Sequence, residues 1–88
     1  MNQKNQIKCS GVLFYYVLSK KPSIGFAINK KLGNAVLRNR FKRQSRSLFV
    51  SKKKLGELSV VVRPVVPLGG IKNLSLCFDK LCESVSNA

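Results

Sequence analysis

The 88-residue sequence has no histidine and no tryptophan, and its only acidic residues are Glu57, Asp79 and Glu83. Acid–base cleavage by protein groups needs a histidine or a pair of carboxylates, and a metal-dependent nuclease needs clustered acids. Neither can be assembled here. Asp79 and Glu83 stand at i and i+4, where they would share one helix face as solvated surface charge. Serine and cysteine have no histidine to activate them. Gly69-Gly70 is an isolated pair and not a phosphate-binding loop. The chain is expected to perform no chemistry with its own side chains: no catalytic residue, no metal ligand and no cofactor bound by the protein alone.

Cysteine is also scarce. Cys9, Cys77 and Cys82 are odd in number and irregular in spacing, which argues against a disulfide framework. Cys77 and Cys82 would lie about 140° apart on a helix, too far round to share a metal easily. Free thiols, buried or half-exposed, suit a reducing compartment. No apolar run approaches the roughly 20 residues that span a bilayer, and residues 1–10 are too polar for a signal peptide. A cytoplasmic protein without membrane contact is expected.

Positive charge is what the chain has in excess: 17 Lys and Arg, for a net charge of +14. So large an imbalance opposes folding through self-repulsion and favours a polyanionic partner. A chain of this length makes one domain that can bury only about 60–65% of its surface, and its 44% apolar content is enough for a core. Ten of the basic residues and no acid fall between Lys30 and Lys54. Read as a helix from Ala35, this stretch places Leu37, Phe41 and Leu48 within about 40° of one another, an apolar stripe able to dock on a core. Arg38, Lys42 and Arg46 form a row on the adjoining face, with Asn39 and Arg43 beside it. Like charges at that spacing repel by a few tenths of a kcal/mol per pair, at about the scale of a weak helix contact. A solvated face normally mixes signs; this one does not, and neutralising phosphates would relieve it.

Around this helix the pattern predicts a small sheet. Residues 1–10 read as a polar N-terminal segment without structure of its own, ahead of one domain over 11–88. Gly11–Leu18 reads as a strand with Val12, Phe14, Tyr16 and Leu18 on one face and Leu13, Tyr15 and Val17 on the other. Ile24–Asn29 alternates as a second strand, joined to the first as an antiparallel hairpin through a polar turn at Pro22. Asn34 is a helix N-cap, and Gly33 lets the backbone bend or approach a ligand closely. Free N–H groups at that helix start attract phosphate, with Lys30 and Lys31 alongside. The helix ends around residues 50–53, with Gly56 beyond. Leu58–Arg63 is a third strand, Pro64 to Gly70 a loop, and Ile71–Val85 a scaffold helix with apolar positions at Ile71, Leu74, Phe78, Leu81 and Val85. The order β-β-α-β-α is an α+β fold, a small, mainly antiparallel sheet packed with two helices.

The segment Lys30-Lys31-x-Gly33-Asn34-Ala35-Val36-x-Arg38-Asn39-Arg40-x-Lys42-Arg43-x-x-Arg46 resembles the signature of the bacterial ribonuclease P protein family, with its Arg-Asn-Arg core, and the resemblance covers roughly Gly11 to Val85. Two positions depart from it. The helix that usually opens the family is expected to be absent, since ten residues precede Gly11, and the acid often found after the final Arg is Ser47 here. The resemblance implies a fold like the second domain of ribosomal protein S5, with a left-handed strand–helix–strand crossover. It implies RNA contacts by Lys30, Lys31, Gly33, Asn34, Arg38, Asn39, Arg40, Lys42, Arg43 and Arg46. It further implies partnership, as a monomer in a 1:1 complex, with a catalytic RNA subunit that holds Mg2+ and cuts the 5′ leader from precursor tRNA. The protein would grip that single-stranded leader, for which Phe14, Tyr15 and Tyr16 are the aromatic candidates. A structural RNA-binding protein, such as a small ribosomal protein, would match the composition equally well.

Overall fold

Asn5–Cys9 forms a strand, β1, so ordered structure begins ahead of the Gly11 boundary that the polar composition suggested. The computed structural model describes residues 5–52, 56 and 58–86. Expectations for residues 1–4, 53–55, Glu57 and 87–88 lie outside the described residues. β1 pairs antiparallel with β2, Val12–Leu18, in a register running from Asn5↔Tyr16 to Cys9↔Val12. The link is a two-residue turn in which Ser10 and Gly11 both have positive φ, 48° and 82°. That is the backbone twist that joins tightly paired strands without splaying them. The strand is one-sided, Ile7 and Cys9 turned inward and Gln6 and Lys8 exposed, and its polar alternate positions hid it.

The hairpin expected between Gly11–Leu18 and Ile24–Asn29 does not form. β3, Ser23–Phe26, lies instead beside β4, Leu58–Pro64, and runs parallel to it from Ser23↔Ser59 to Phe26↔Val62. β4 is also antiparallel to β2, giving the strand order β1-β2-β4-β3. The reason lies in β4. Val60-Val61-Val62 is apolar on both faces, the mark of a strand taken into the middle of a sheet. With β4 central, β3 takes the free edge, and parallel neighbours need a crossover. The basic helix, α1, Ala35–Ser51, is that crossover.

α1 and α2, Leu74–Ser86, cover one face of the sheet. Val12, Phe14, Leu58, Val60 and Val62 point into this layer and are almost wholly buried. They meet Phe41 and Phe49 of α1 and Cys77, Phe78 and Leu81 of α2. Phe14 and Phe78 pack edge to face with ring centres 5.1 Å apart, and Phe26 and Phe41 do the same at 6.2 Å. The architecture is α+β, as the pattern predicted, with one more strand and one parallel pairing.

The buried stripe of α1 differs from the predicted one. Phe41, Ser45 and Phe49 are buried, while Leu37 and Leu48 are only half-buried. At about 100° per residue the inward face is turned by roughly 60° from the Leu37–Phe41–Leu48 line. Ser45 is 0% exposed. A polar letter thus marks the most completely buried position of the helix, where a small side chain fits. The same rotation brings Arg38 within about 20° of the centre of the buried face, near the start of the helix.

Two of the three cysteines are buried. The Cys77 thiol is directed at the Cys9 sulfur, 2.7 Å away, and at the Cys9 carbonyl, 3.4 Å away, tying α2 to β1. Burial, then the hydrogen bond to Cys9, pushes the Cys77 thiol from its ordinary 9.0 to about 12. Folding therefore favours the protonated thiol. Its stabilising contribution is complete below pH 9.0 and is lost as pH rises towards about 12. The urea midpoint is expected to fall over that alkaline interval, and to fall less in Cys77→Ala; parallel curves for the two proteins would contradict this. At the turn, a Cβ on Gly11 would come 2.6 Å from a Val66 methyl. Gly11→Ala is expected to cost about 1–2 kcal/mol from the left-handed backbone alone, plus a steric part that Val66→Ala relieves. Unchanged stability by urea denaturation would exclude this turn geometry.

Candidate nucleic-acid interface

Two asparagines shape the approach to α1. Asn29 Oδ1 accepts a hydrogen bond from the Lys31 backbone N–H at 2.9 Å, starting a 3-10 turn over Lys30–Leu32. Asn34 Oδ1 accepts from the Leu37 N–H at 2.9 Å and caps α1. Between the caps, Lys30 and Lys31 are exposed. The Gly33 backbone is extended, with φ 174°, so no unusual conformation calls for glycine. A Cβ there would lie 3.0 Å from Leu68 Cδ1 and 3.2 Å from Leu37 Cβ. Gly33 thus serves the packing of this turn on Leu68, a role the sequence reading did not separate from close approach to a ligand. The N–H groups of Ala35 and Val36 point out of the helix start with no partner among the described residues.

Along α1 the basic residues fall into two sets. Asn39, Arg40 and Arg43 are exposed. Arg38 and Lys42 are half-buried, and the Arg38 Nε is buried without a partner among the described residues. Arg46 is exposed, its guanidinium 5.4 Å from the centre of the Phe26 ring. A cation over an aromatic face gains about 0.5–1 kcal/mol at an exposed site, and here it pins the arginine head above β3. Among the described residues the one ion pair is Lys52 with Asp79, at 2.5 Å. Its hydrogen bond holds the Lys52 ammonium above the ordinary 10.5. None of the seven basic residues from Lys30 to Arg46 has an acidic partner among the described residues.

Among the described residues, no helix covers the opposite face of the sheet. Tyr15 lies at its centre, beside Gln6 on β1 and Val61 on β4, with Gly25 beyond. Tyr15, Val17, Ser59 and Val61 line an open hollow of about 330 Å³, and Tyr16 reaches its edge. The next row across the sheet, on the side of Tyr15 away from Val17 and Ser59, is Lys8, Leu13 and Arg63, so two exposed cations lie one row from Tyr15. The three aromatic candidates thus separate. Phe14 is 0% exposed against Phe78, and Tyr16 is 7% exposed on the helix side. Only Tyr15 stands on the open face, because strand parity turns alternate residues to opposite sides. Lys8 and Arg63 were missed as its neighbours; the missing information was the pairing register, since neither belongs to a basic run. Among the described residues no three His, Cys, Asp or Glu side chains converge as metal ligands, and no helix is long and apolar enough to cross a membrane.

The structure is thus an α+β protein whose single-layer sheet carries, on one side, a basic helix with no acidic partner among the described residues and, on the other, an open face centred on Tyr15 with Lys8 and Arg63 in the next row. The chain belongs to the ribonuclease P protein family: the family model described as Ribonuclease P matches residues 1–85. The ribonuclease P protein component of Mesomycoplasma hyopneumoniae is 41% identical over 66 residues, 75% of this chain and 59% of that protein. That of Mycoplasma mycoides is 30% identical over 87 residues, 97% of this chain and 78% of the relative. This chain thus spans about three fifths of the length of the first of these relatives. Among solved structures, the Staphylococcus aureus RNase P protein superposes with a TM-score of 0.67 at 27% identity, covering 97% of this chain and 80% of that one. The Thermotoga maritima RNase P protein shares the fold with a TM-score of 0.60 at 22% identity over 97% of this chain and 80% of the other.

If Asn34 acts first as a helix cap, Asn34→Ala costs about 1 kcal/mol of stability, while Asn34→Asp, which keeps an acceptor and adds a favourable charge at the helix start, costs nothing measurable. Equal losses in thermal unfolding for both variants would show that the cap is not what Asn34 contributes.

Proposed function

We propose that this chain is the protein subunit of ribonuclease P and that it acts as a monomer, in a 1:1 cytoplasmic complex with the ribonuclease P RNA. α1 and the turn before it bind that RNA, and the open sheet face holds the 5′ leader of precursor tRNA during its removal. The chemistry belongs to the RNA, which holds the Mg2+ ions; the protein supplies positive charge. The observation that carries this reading is the absence of any described acidic partner for the basic residues from Lys30 to Arg46, on a helix that matches the family signature. Each phosphate that meets a cation there releases condensed counterions, the largest generic source of nucleic-acid affinity. Arginines at 38, 40, 43 and 46 suit bidentate phosphate contact, which lysine does not reproduce.

On the sheet face, Tyr15 offers a base a stacking surface worth about 1–3 kcal/mol, and Lys8 and Arg63 flank the path for its phosphates. The electrostatic benefit is twofold. Cations between the two RNAs screen their repulsion, and the same screening lets the RNA subunit keep its metal ions at lower concentration.

Arg40 and Arg43 are exposed, so their removal spares the core. Arg40→Ala with Arg43→Ala is expected to weaken binding to the RNA subunit and to take about 0.9 per lost duplex phosphate contact off the slope of log K against log salt. An unchanged slope would mean that neither touches phosphate. The parent protein is expected to lower the Mg2+ concentration that its RNA subunit needs to cleave precursor tRNA. Cleavage unaltered across low Mg2+ would favour a structural RNA-binding protein instead.

A further inference from the structure

A groove lies between α1, the Leu68–Gly70 turn and the start of α2, in the helix layer and away from the open sheet face. It consists of two adjoining hollows of about 240 and 630 Å³ that share Gln44, Ile71 and Leu74. The floor is apolar but incompletely covered: Leu48, Ile71 and Leu74 are each half-buried. Two side-chain amides line the groove, Gln44 from α1 and Asn73 from the residue before α2, and neither has a hydrogen-bond partner among the described residues. Arg40 and Arg43 stand on the α1 lip. Among the described residues no acid lines either hollow.

We propose that this groove receives one unpaired nucleotide of the RNA subunit. The inference rests on the reading of α1 as that RNA's docking helix. A base has an apolar face for Leu48, Ile71 and Leu74, and a hydrogen-bonding edge for the amides of Gln44 and Asn73. Its phosphate falls to Arg40 and Arg43. Protein–RNA recognition commonly reads unstacked bases in this way, by covering the face and bonding the edge. The larger hollow, about 630 Å³, lies within the roughly 300–1,000 Å³ of small-molecule sites. Charge complementarity favours a phosphate-bearing occupant over an apolar protein segment. The source is the RNA subunit because the leader is assigned to the Tyr15 face, on the far side of the sheet. One of the three residues of the apolar line read in the sequence, Leu48, thus lines the groove as well as packing against the core.

The test uses the full chain. In two-dimensional NMR, AMP, GMP, CMP and UMP are titrated against ribose 5-phosphate. At least one nucleotide is expected to shift the side-chain amide signals of Gln44 and Asn73 saturably, with ribose 5-phosphate leaving them in place. Two variants then probe the RNA-subunit complex. Gln44→Leu removes one amide. Asn73→Gly removes the other without backbone strain, because Asn73 already holds φ 58° and glycine accepts it freely. Each is expected to weaken the complex roughly tenfold, the effect of one lost bidentate base contact, with an unchanged salt slope and unchanged affinity for a single-stranded leader oligonucleotide. Wild-type affinity in both variants, or equal shifts with ribose 5-phosphate, would overturn the groove while leaving the docking of α1 intact. Weakened leader binding with an unaffected RNA subunit would overturn the assigned source. Failure of the parent chain to bind the RNA subunit at all would instead remove the reading on which the groove depends.

Discussion

Phe41 of α1 resting edge-on against Phe26 of β3 is the contact through which the basic helix is fixed to the sheet, with Phe49 buried two turns further along. Edge-to-face aromatic pairs contribute about 0.5–1.5 kcal/mol beyond the area they bury, and burying each phenylalanine adds about 1.5–3 kcal/mol. Against this stands repulsion between neighbouring cations on α1, a few tenths of a kcal/mol per pair and only at roughly i, i+4 spacing. Packing therefore wins locally, and the helix can carry its charge unneutralised. The cost appears at the level of the whole chain, where +14 resists compaction. Anions of any kind should relieve it, and a polyanion most of all.

The parallel pairing of β3 with β4 turns that contact into an architecture. Because β4 occupies the middle of the sheet, the chain leaves β3 at one edge and must cross back through α1. The basic surface is thus set by the crossover itself and cannot drift relative to the sheet. Arg46 repeats the constraint on the outside, its guanidinium above the same Phe26 that Phe41 touches from within the core. One aromatic ring on an edge strand orients both the buried and the exposed faces of the interface.

Much of this was legible in the residues, and the failures follow a pattern. α1 was readable to within a residue, since Asn34 announces its start and the Arg-Asn-Arg signature lies wholly inside it. The one-sided charge was readable because it is a property of composition. Strand partners were not: β4 competes with β3 for β2, and nothing local to residues 19–29 records that contest. β1 was lost because an edge strand buries one face only, so Gln6 and Lys8 masked the inward Ile7 and Cys9. Ser45 was lost because a fully buried helix position can select for small size, and hydropathy does not measure size. Phe14, Tyr15 and Tyr16 looked equivalent as aromatics on one strand. Once the helices cover one face, parity alone sends Phe14 and Tyr16 into the core and leaves Tyr15 outside.

The central claim is that the sheet exists to hold the exposed side of α1 against an RNA. The most direct measurement is directed hydroxyl-radical cleavage of the ribonuclease P RNA from an iron chelate tethered to single cysteines introduced at Val36 and, separately, at Glu83. Val36 is 66% exposed on α1, and Glu83 is exposed on α2. Focused cuts from residue 36 and weak or absent cuts from residue 83 are the expected result. Strong cuts from residue 83 with none from residue 36 would place the RNA elsewhere and contradict the account.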